Sequence, residues 1–214
     1  MPVEFAIWRF DGNPKKLEAT KLPTEEKLDT LIASDVSVLG LDILVIGRQL
    51  ATAYGKRIDL LAIDREGALY VIELKRDRTP RDVVAQALDY GSWVKDLDYE
   101  QIAGACVEYA GGKRLEEAFV DGFGVAVPEA INREHHLVIV ASELDASTER
   151  IVGYLSADYG VPVNVLFFRH FTDGERAYLA RTWLIEPSAA EAHSQSVLAI
   201  TEESPDLITE TPHP

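Results

Sequence analysis

The chain has 214 residues, of which 47% are hydrophobic and 27% are charged, a composition typical of a globular protein with one sizeable core. Its formal net charge of −15 disfavours non-specific binding to nucleic acid, and its single cysteine, Cys106, excludes an internal disulfide framework and a cysteine-based zinc cage. The N-terminus lacks the pattern of a signal peptide, and no apolar run reaches the ~18 residues of a membrane span. We therefore expect a cytoplasmic protein with no membrane partner.

The periodicity of apolar residues and the positions of cap and turn residues predict twelve elements. In chain order they are a strand over 3–10, a helix over 25–33, strands over 41–46, 58–63 and 69–75, helices over 79–97, 99–109 and 115–120, a strand over 137–141, a helix over 148–159, and strands over 161–168 and 177–185. Thr24 is a suitable N-cap for the first helix, and Thr79 followed by Pro80 is suited to start the second.

The order helix, three strands, helix, strand predicts a single α/β domain over residues 1–185. An N-terminal strand precedes this pattern, and a helix and two strands follow it. From Glu186 to residue 214 the chain contains six acidic residues, four prolines and no Lys or Arg. We expect this acidic, proline-containing tail to be flexible.

Charged residues stand in the hairpin of strands 58–63 and 69–75, where apolar side chains are expected. If Arg65-Glu66-Gly67 is a three-residue turn with Gly67 left-handed, Ile63 lies opposite Leu69 and Leu61 opposite Val71. Continuing this register places Asp59 opposite Glu73 and Arg57 opposite Lys75.

Two carboxylates directly opposite each other on a sheet repel, and a divalent cation between Asp59 and Glu73 would relieve the repulsion. Oxygen ligands with open positions suit Mg²⁺ or Mn²⁺. The alternative is a salt-bridged sheet edge, with Asp59 paired to Lys75 and Arg57 paired to Glu73 on a solvated rim.

Basic residues concentrate around this hairpin. Residues 48–81 carry a net charge of +3, whereas the rest of the chain carries −18. Four arginines of the segment are candidate contacts to nucleic-acid phosphates, the alternative being that they balance an acidic protein: Arg48, Arg57, Arg78 and Arg81.

A further motif follows on the next predicted helix. Gln86 and Tyr90 are four residues apart and share one helix face, from which both can bond a phosphate or a backbone group. Asp59, then Glu73-x-Lys75, then Gln86-x-x-x-Tyr90 resemble the PD-(D/E)XK nuclease superfamily in its RecB-like form. The amino-acid sequences of residues 55–62 and 71–76 are especially similar to the catalytic domain of NucS-like endonucleases.

The resemblance implies a restriction-endonuclease-like αβββαβ core over about residues 24–141, with a mixed central sheet flanked by helices. It also implies magnesium-dependent hydrolysis of phosphodiester bonds in nucleic acid, expected to be DNA, with a role in DNA repair or defence. Asp59, Glu73 and the main-chain carbonyl of Leu74 would hold the metal. Lys75 would position the attacking water and offset the developing charge.

The resemblance assigns Gln86 and Tyr90 to ordering the site or to contacting the nucleic-acid backbone. The superfamily also tends to place an acidic residue on the first helix, for which Glu25 is our candidate. The alternative for Glu25 is that the helix dipole favours acidic residues in a first turn.

One feature departs from the resemblance. NucS-like enzymes carry a separate nucleic-acid-binding domain before the nuclease domain, and about 23 residues precede the first predicted helix here. A second hypothesis is therefore a non-catalytic module that binds nucleic acid or protein on a nuclease fold. A nuclease recruited by a protein partner is also consistent with the acidic surface, and the last two strands could extend the sheet or form a homodimer surface.

Overall fold

A computed structural model describes residues 6–21, 24–79 and 81–187, with the side chains of 76–79 outside the described part. The elements are β1 (Trp8–Arg9), β2 (Lys15–Lys16), β3 (Ala19–Thr20), α1 (Glu25–Ser34), a 3₁₀ helix (Val36–Leu39), β4 (Ile43–Ala51), β5 (Arg57–Asp64), β6 (Leu69–Thr79), α2 (Asp82–Val94), α3 (Tyr99–Tyr109), α4 (Leu115–Phe123), β7 (His135–Leu144), α5 (Ala146–Tyr159), β8 (Val163–Asp173) and β9 (Arg176–Trp183). The order α1, β4, β5, β6, α2, β7 confirms the predicted αβββαβ core, with α3 and α4 inserted before β7.

Seven strands of the described residues form one mixed sheet in the order β3-β8-β7-β6-β5-β4, with β9 also paired to β8. The β6–β7 and β7–β8 pairs are parallel, and the other pairs are antiparallel. β9 pairs with β8 from Leu166 to Asp173, so the last two strands extend the sheet. β6 therefore lies inside the sheet, between one antiparallel and one parallel neighbour.

The sheet is covered on both faces. One buried cluster joins side chains of α2, α3, α4 and α5 to residues such as Leu61, Val71 and Ile139. The other joins α1 and the 3₁₀ helix to residues such as Leu60 and Ile72. Alternate residues of β5 and β6 thus enter opposite cores, as the period of two in a strand requires. A charged side chain in the interior of β6 consequently has little access to water.

The turn between β5 and β6 has the predicted geometry. Gly67 is left-handed, with φ of +90°, and the carboxylate of Asp64 accepts hydrogen bonds from the main-chain N–H groups of Glu66 and Ala68, at 3.0 and 2.8 Å. The predicted pairs Ile63–Leu69 and Leu61–Val71 are both present. The single glycine therefore fixes the register that determines which residues approach the site.

The structure corrects the predicted start of the second helix. Thr79 is the last residue of β6 instead of a helix cap, because β6 remains paired with β7 as far as Thr79–Leu144. α2 begins at Asp82, with Arg81 at the N-cap and no side-chain capping bond. Thr24, in contrast, caps α1 as predicted, since its hydroxyl accepts from the N–H of Lys27 at 3.1 Å.

The N-terminal prediction is only partly matched. The described part of the predicted strand 3–10 contains the two-residue strand β1, paired with β2. The short exposed strands β2 and β3 were not predicted, because two-residue strands leave no periodic signal. The predicted flexible tail lies outside the described residues from 188 onward, and no described helix is long and apolar enough to cross a membrane.

Replacement of Gly67 by alanine tests the importance of this turn. A Cβ atom at Gly67 would lie 2.9 Å from Cγ2 of Ile131, in addition to the cost of a left-handed backbone. We expect Gly67→Ala to lower the free energy of unfolding by about 2–3 kcal/mol, measured by urea denaturation. Gly174→Ala is the control, because Gly174 also has positive φ but a Cβ there meets nothing within 4 Å. An equal loss in both variants would contradict the close packing at Gly67.

Candidate active site

The most unusual group in the molecule is the carboxylate of Glu73. Its residue is 2% exposed in the interior of β6. One carboxylate oxygen, Oε1, lies 2.5 Å from Nζ of Lys75, whereas the buried Oε2 has no hydrogen-bond partner among the described residues. An ionised oxygen without a partner is costly to bury, so this position calls for a proton or a cation.

Asp59 approaches Glu73 where two strands separate. The ladder between β5 and β6 ends at the pair Leu60–Ile72. Beyond it, Oδ2 of Asp59 accepts the main-chain N–H of Leu74 at 2.8 Å, so a side chain replaces a main-chain acceptor. Because the N–H and C=O of one strand residue point to the same edge, the carbonyl of Leu74 also faces this gap.

The predicted register therefore stops short of the charged pairs. Asp59–Glu73 and Arg57–Lys75 were expected as directly opposite pairs, but neither belongs to the observed ladder. Arg57 instead donates from Nη1 to the main-chain oxygen of Gln49 at 3.2 Å. Where the ladder ends, the carboxylate of Asp59 takes the place of a main-chain partner for Leu74. The alternative salt-bridged edge is also not found, since Lys75 pairs with the buried Glu73.

The electrostatics of this group are dominated by burial. Burial raises the pKa of Glu73 to about 7, and the charge of Asp59 adds to the increase, while the bond to Lys75 opposes it. For Lys75, burial alone would lower the pKa, but its bond to Glu73 and the charges of Glu73, Asp59 and Glu25 outweigh it, so the pKa is raised. Lys75 is therefore a cation at neutral pH, and Glu73 is poised between its two protonation states.

Gln86 and Tyr90 lie on α2 and contact each other and β5. Tyr90 is 2% exposed, and its hydroxyl donates to the main-chain oxygen of Arg57 at 2.6 Å. The amide Nε2 of Gln86 donates to the same hydroxyl at 2.8 Å. Burial raises the pKa of Tyr90. These two hydrogen bonds fix the start of β5, two residues before Asp59. The geometry favours a role for Gln86 and Tyr90 in ordering the site over a role in contacting phosphates.

Gln49 was not predicted as a site residue. It lies on β4 with a left-handed backbone, φ of +52°, and its amide Nε2 donates to Oδ1 of Asp59 at 2.9 Å. The sequence contains no signal for it, because a glutamine in a strand gives no indication of positive φ. Both oxygens of Asp59 thus hold a hydrogen bond from a neighbouring strand, one from β4 and one from β6.

The four predicted arginine contacts occupy different environments. Arg48 donates from Nη2 to Oδ2 of Asp29 on α1 at 2.7 Å, with two further bonds from Nε, so its guanidinium is largely engaged within the protein. Arg57 and Arg81 are exposed, and the side chain of Arg78 lies outside the described residues. Their contact with nucleic acid stays a prediction.

Glu25, the predicted acidic residue of the first helix, is the first residue of α1 and is exposed. Its charge contributes to the raised pKa of Lys75, which places it within electrostatic reach of the site. Asp29, one turn further along α1, is paired with Arg48. Glu25 therefore stays a candidate.

The donor set fits a hard divalent cation with few protein ligands. No cluster of three or more His, Cys, Asp or Glu residues that could hold a metal occurs in the described part of the chain. The available oxygens are those of Asp59, the unpartnered Oε2 of Glu73, and the carbonyl of Leu74. Mg²⁺ commonly binds through one or two carboxylates and retains several waters. The buried oxygen of Glu73 is the group that such an ion would satisfy.

The sequence matches no family model and no curated protein. Its fold is similar to solved structures of repair endonucleases. A complex of EndoMS with double-stranded DNA gives a TM-score of 0.41 at 16% identity, over 76% of this chain and 64% of that chain. A repair endonuclease from Pyrococcus abyssi gives 0.39 at 14% identity, over 74% and 63%. EndoMS in its apo form gives 0.40 at 15% identity, over 74% and 62%.

The structural neighbours are thus EndoMS and NucS-like repair endonucleases, the class that the sequence resembles. The matched region spans less than two thirds of the length of each of these proteins. With TM-scores near 0.4, no residue role is transferred from them.

The raised pKa of Glu73 predicts a pH-dependent stability. Between pH 4.5 and about 7 the folded protein holds a proton that the unfolded chain has released, so stability falls as pH rises through this window. Glu73→Gln removes the titration. The stability of this variant relative to the unaltered protein should therefore increase from pH 5 to pH 8 by up to about 3 kcal/mol.

Urea denaturation in a chelator at several pH values measures this difference. Glu100→Gln, on the exposed surface of α3, is the matched control and should show no comparable trend. A constant difference between Glu73→Gln and the unaltered protein across the window would show that Glu73 titrates normally.

Tyr90→Phe tests the link between α2 and β5. The substitution removes the hydroxyl that satisfies the main-chain oxygen of Arg57, so we expect the free energy of unfolding to fall by about 1–3 kcal/mol. Tyr99→Phe is the control, since the hydroxyl of Tyr99 bonds the exposed carboxylate of Glu116 and its loss should cost less. Equal stability of Tyr90→Phe and the unaltered protein, by chemical denaturation, would exclude the proposed anchoring.

Proposed function

We propose that this chain is a metal-dependent nuclease that hydrolyses phosphodiester bonds in nucleic acid. The observation that carries the proposal is the buried Glu73 carboxylate, which has one oxygen on Lys75, one oxygen without a partner, and Asp59 beside it. A purely structural ion pair would satisfy both oxygens. A carboxylate with an unsatisfied oxygen at a strand gap is suited to a cation that arrives from solution.

The residues that would hold the metal are Asp59, Glu73 and, through its main-chain carbonyl, Leu74. Bound there, Mg²⁺ or Mn²⁺ would supply Lewis-acid polarisation of a phosphoryl oxygen and a lowered pKa for a bound water. Asp59 would contribute a carboxylate whose orientation is already set by hydrogen bonds from Leu74 and Gln49. Glu73 would contribute the oxygen that now lacks a partner.

Lys75 is proposed to act on the water and on the phosphate. Its ammonium group has three donors, of which one is directed at Glu73. The other two are available to orient a water and to stabilise the negative charge that develops on the phosphoryl oxygens. Its raised pKa keeps the group cationic at neutral pH, as this role requires. Gln86 and Tyr90 would hold β5 in place, and Glu25 would lie at the margin of the site.

The choice of DNA as the substrate rests on the resemblance to NucS-like endonucleases, as do endonucleolytic cleavage and a role in DNA repair or defence. The chain itself carries a net charge of −15, which opposes tight binding to a polyanion. We therefore propose that a recruiting protein or a second copy of the chain contributes cationic surface. The exposed Arg57 and Arg81, together with Arg78, are the proposed contacts of this chain to phosphates.

Cleavage assays with single-stranded, double-stranded and branched DNA, and with RNA, test the activity in Mg²⁺ and in Mn²⁺. Asp59→Asn removes a metal ligand and Lys75→Met removes the cation while preserving side-chain bulk. Each is expected to lower the rate of cleavage by about 10²–10⁴-fold.

Asp121→Asn is the matched control, since Asp121 pairs with Lys113 on the surface of α4, far from the residues of the site in the sequence. This variant should cleave at the unaltered rate. Cleavage that needs no divalent ion, or that persists in both site variants, would refute the catalytic proposal. Binding of nucleic acid without cleavage by the unaltered chain would instead favour the non-catalytic module.

A further inference from the structure

The strand β4 is distorted next to Asp59. Its register with β5 shifts between Val45 and Gly47, and two residues later Gln49 has a left-handed backbone with φ of +52°. Bulges frequently redirect side chains beside functional sites. Left-handed geometry is unfavourable for a residue with a Cβ, and it persists only where the surroundings hold it. The distortion therefore needs a compensating interaction.

Gln49 makes two such interactions, one with its side chain and one with its main chain. Its amide Nε2 donates to Oδ1 of Asp59 at 2.9 Å, and its main-chain oxygen accepts from Nη1 of Arg57 at 3.2 Å. Because an ionised carboxylate only accepts hydrogen bonds, the amide nitrogen and not the amide oxygen must face Asp59. Gln49 thus contacts the residues on both sides of Ile58, at the point where β5 leaves β6.

The orientation of the Asp59 carboxylate is consequently determined from two sides. Leu74 donates to Oδ2 from β6, and Gln49 donates to Oδ1 from β4. Each oxygen keeps a lone pair for a further partner, since a carboxylate offers about four acceptor positions. The carboxylate of Asp59 is therefore held in one orientation while acceptor positions stay available on both oxygens.

We infer that Gln49 is a positioning residue that holds Asp59 in the orientation needed to bind the divalent cation. This inference rests on the metal-dependent function proposed above. Residues that bond a metal-ligating carboxylate orient the ligand, and their loss typically weakens metal affinity by 10–100-fold. In this role Gln49 acts through Asp59 and contacts neither the metal nor the phosphate.

Two variants distinguish this positioning role from a purely structural role, in which Gln49 only ties β4 to β5. Gln49→Gly removes the amide and at the same time removes the strain of the left-handed backbone, so it should leave the melting temperature unchanged or higher. Gln49→Met keeps the length of the side chain and the backbone conformation but lacks the donor. The two variants thus differ in their effect on the backbone and share only the loss of the hydrogen bond to Asp59.

Mn²⁺ binding to the full chain, measured by electron paramagnetic resonance and calorimetry without substrate, is the decisive experiment. Gln49→Gly and Gln49→Met are both expected to raise the dissociation constant for Mn²⁺ by about 10-fold or more. The metal concentration for half-maximal cleavage should rise in parallel, and the rate at saturating metal should fall less. Gln101→Met, which removes an amide from the capping box of α3, is the control and should bind Mn²⁺ as the unaltered chain does.

The outcomes separate this inference from the function on which it rests. If the unaltered chain binds Mn²⁺, Asp59→Asn does not, and both Gln49 variants bind as the unaltered chain, the metal site stands and the role of Gln49 is overturned. A loss of metal affinity in Gln49→Met alone, with a lowered melting temperature, also overturns it, because unfolding then explains the loss. Absence of Mn²⁺ binding by the unaltered chain overturns both proposals.

Discussion

The burial of a carboxylate at Glu73 is the constraint on which the rest of the site depends. A strand between two others in a sheet covered on both faces is a poor place for a charge, because water cannot reach it. Lys75 neutralises only part of the local charge, since Asp59 adds a second carboxylate. With both acids ionised, the group of three carries a net negative charge, and the most deeply buried member, Glu73, is 2% exposed. A proton on Glu73 or a divalent cation restores the balance, and the pKa of about 7 makes the choice sensitive to conditions near neutrality.

The two sides of β6 are paired differently next to this buried group. β6 continues to pair with β7 well past Glu73, whereas its ladder with β5 ends at Leu60–Ile72. Beyond Ile72 the backbone of β6 thus pairs with a neighbouring strand on one side only. Tyr90 holds the diverging start of β5 through the carbonyl of Arg57, and Gln49 and Leu74 hold Asp59. The arrangement of β5 beyond the end of its ladder with β6 is therefore fixed by specific hydrogen bonds.

Much of this arrangement could be predicted from the sequence because one glycine sets a register. Gly67 requires a particular turn, the turn fixes Ile63 opposite Leu69, and a period of two carries Asp59 and Glu73 toward each other. The αβββαβ order followed from apolar periodicity in the same way.

What the sequence did not predict depends on exceptions to these local rules. Gln49 has a left-handed backbone, which is not expected of a residue in a strand. The Arg48–Asp29 pair joins residues 19 positions apart, and both side chains would also suit a solvated surface. Thr79 resembles a helix cap in every local respect, yet pairing with β7 retains it in β6. In each case a tertiary contact determines the outcome, and no window of sequence contains it.

The distribution of cations bears on how such an acidic protein could act on a polyanion. The segment from residue 48 to 81 carries a net charge of +3, but much of its positive charge is paired within the protein. Arg48 is paired with Asp29, Lys56 with Asp89 at 3.1 Å, and Lys75 with Glu73. Free cationic surface near the site is therefore smaller than the sequence suggests. Under the proposed function, attraction of a phosphodiester would then depend mainly on a divalent ion held by Asp59 and Glu73. Under the proposed function, metal binding and substrate binding would be coupled, so the affinity for nucleic acid should itself depend on the metal.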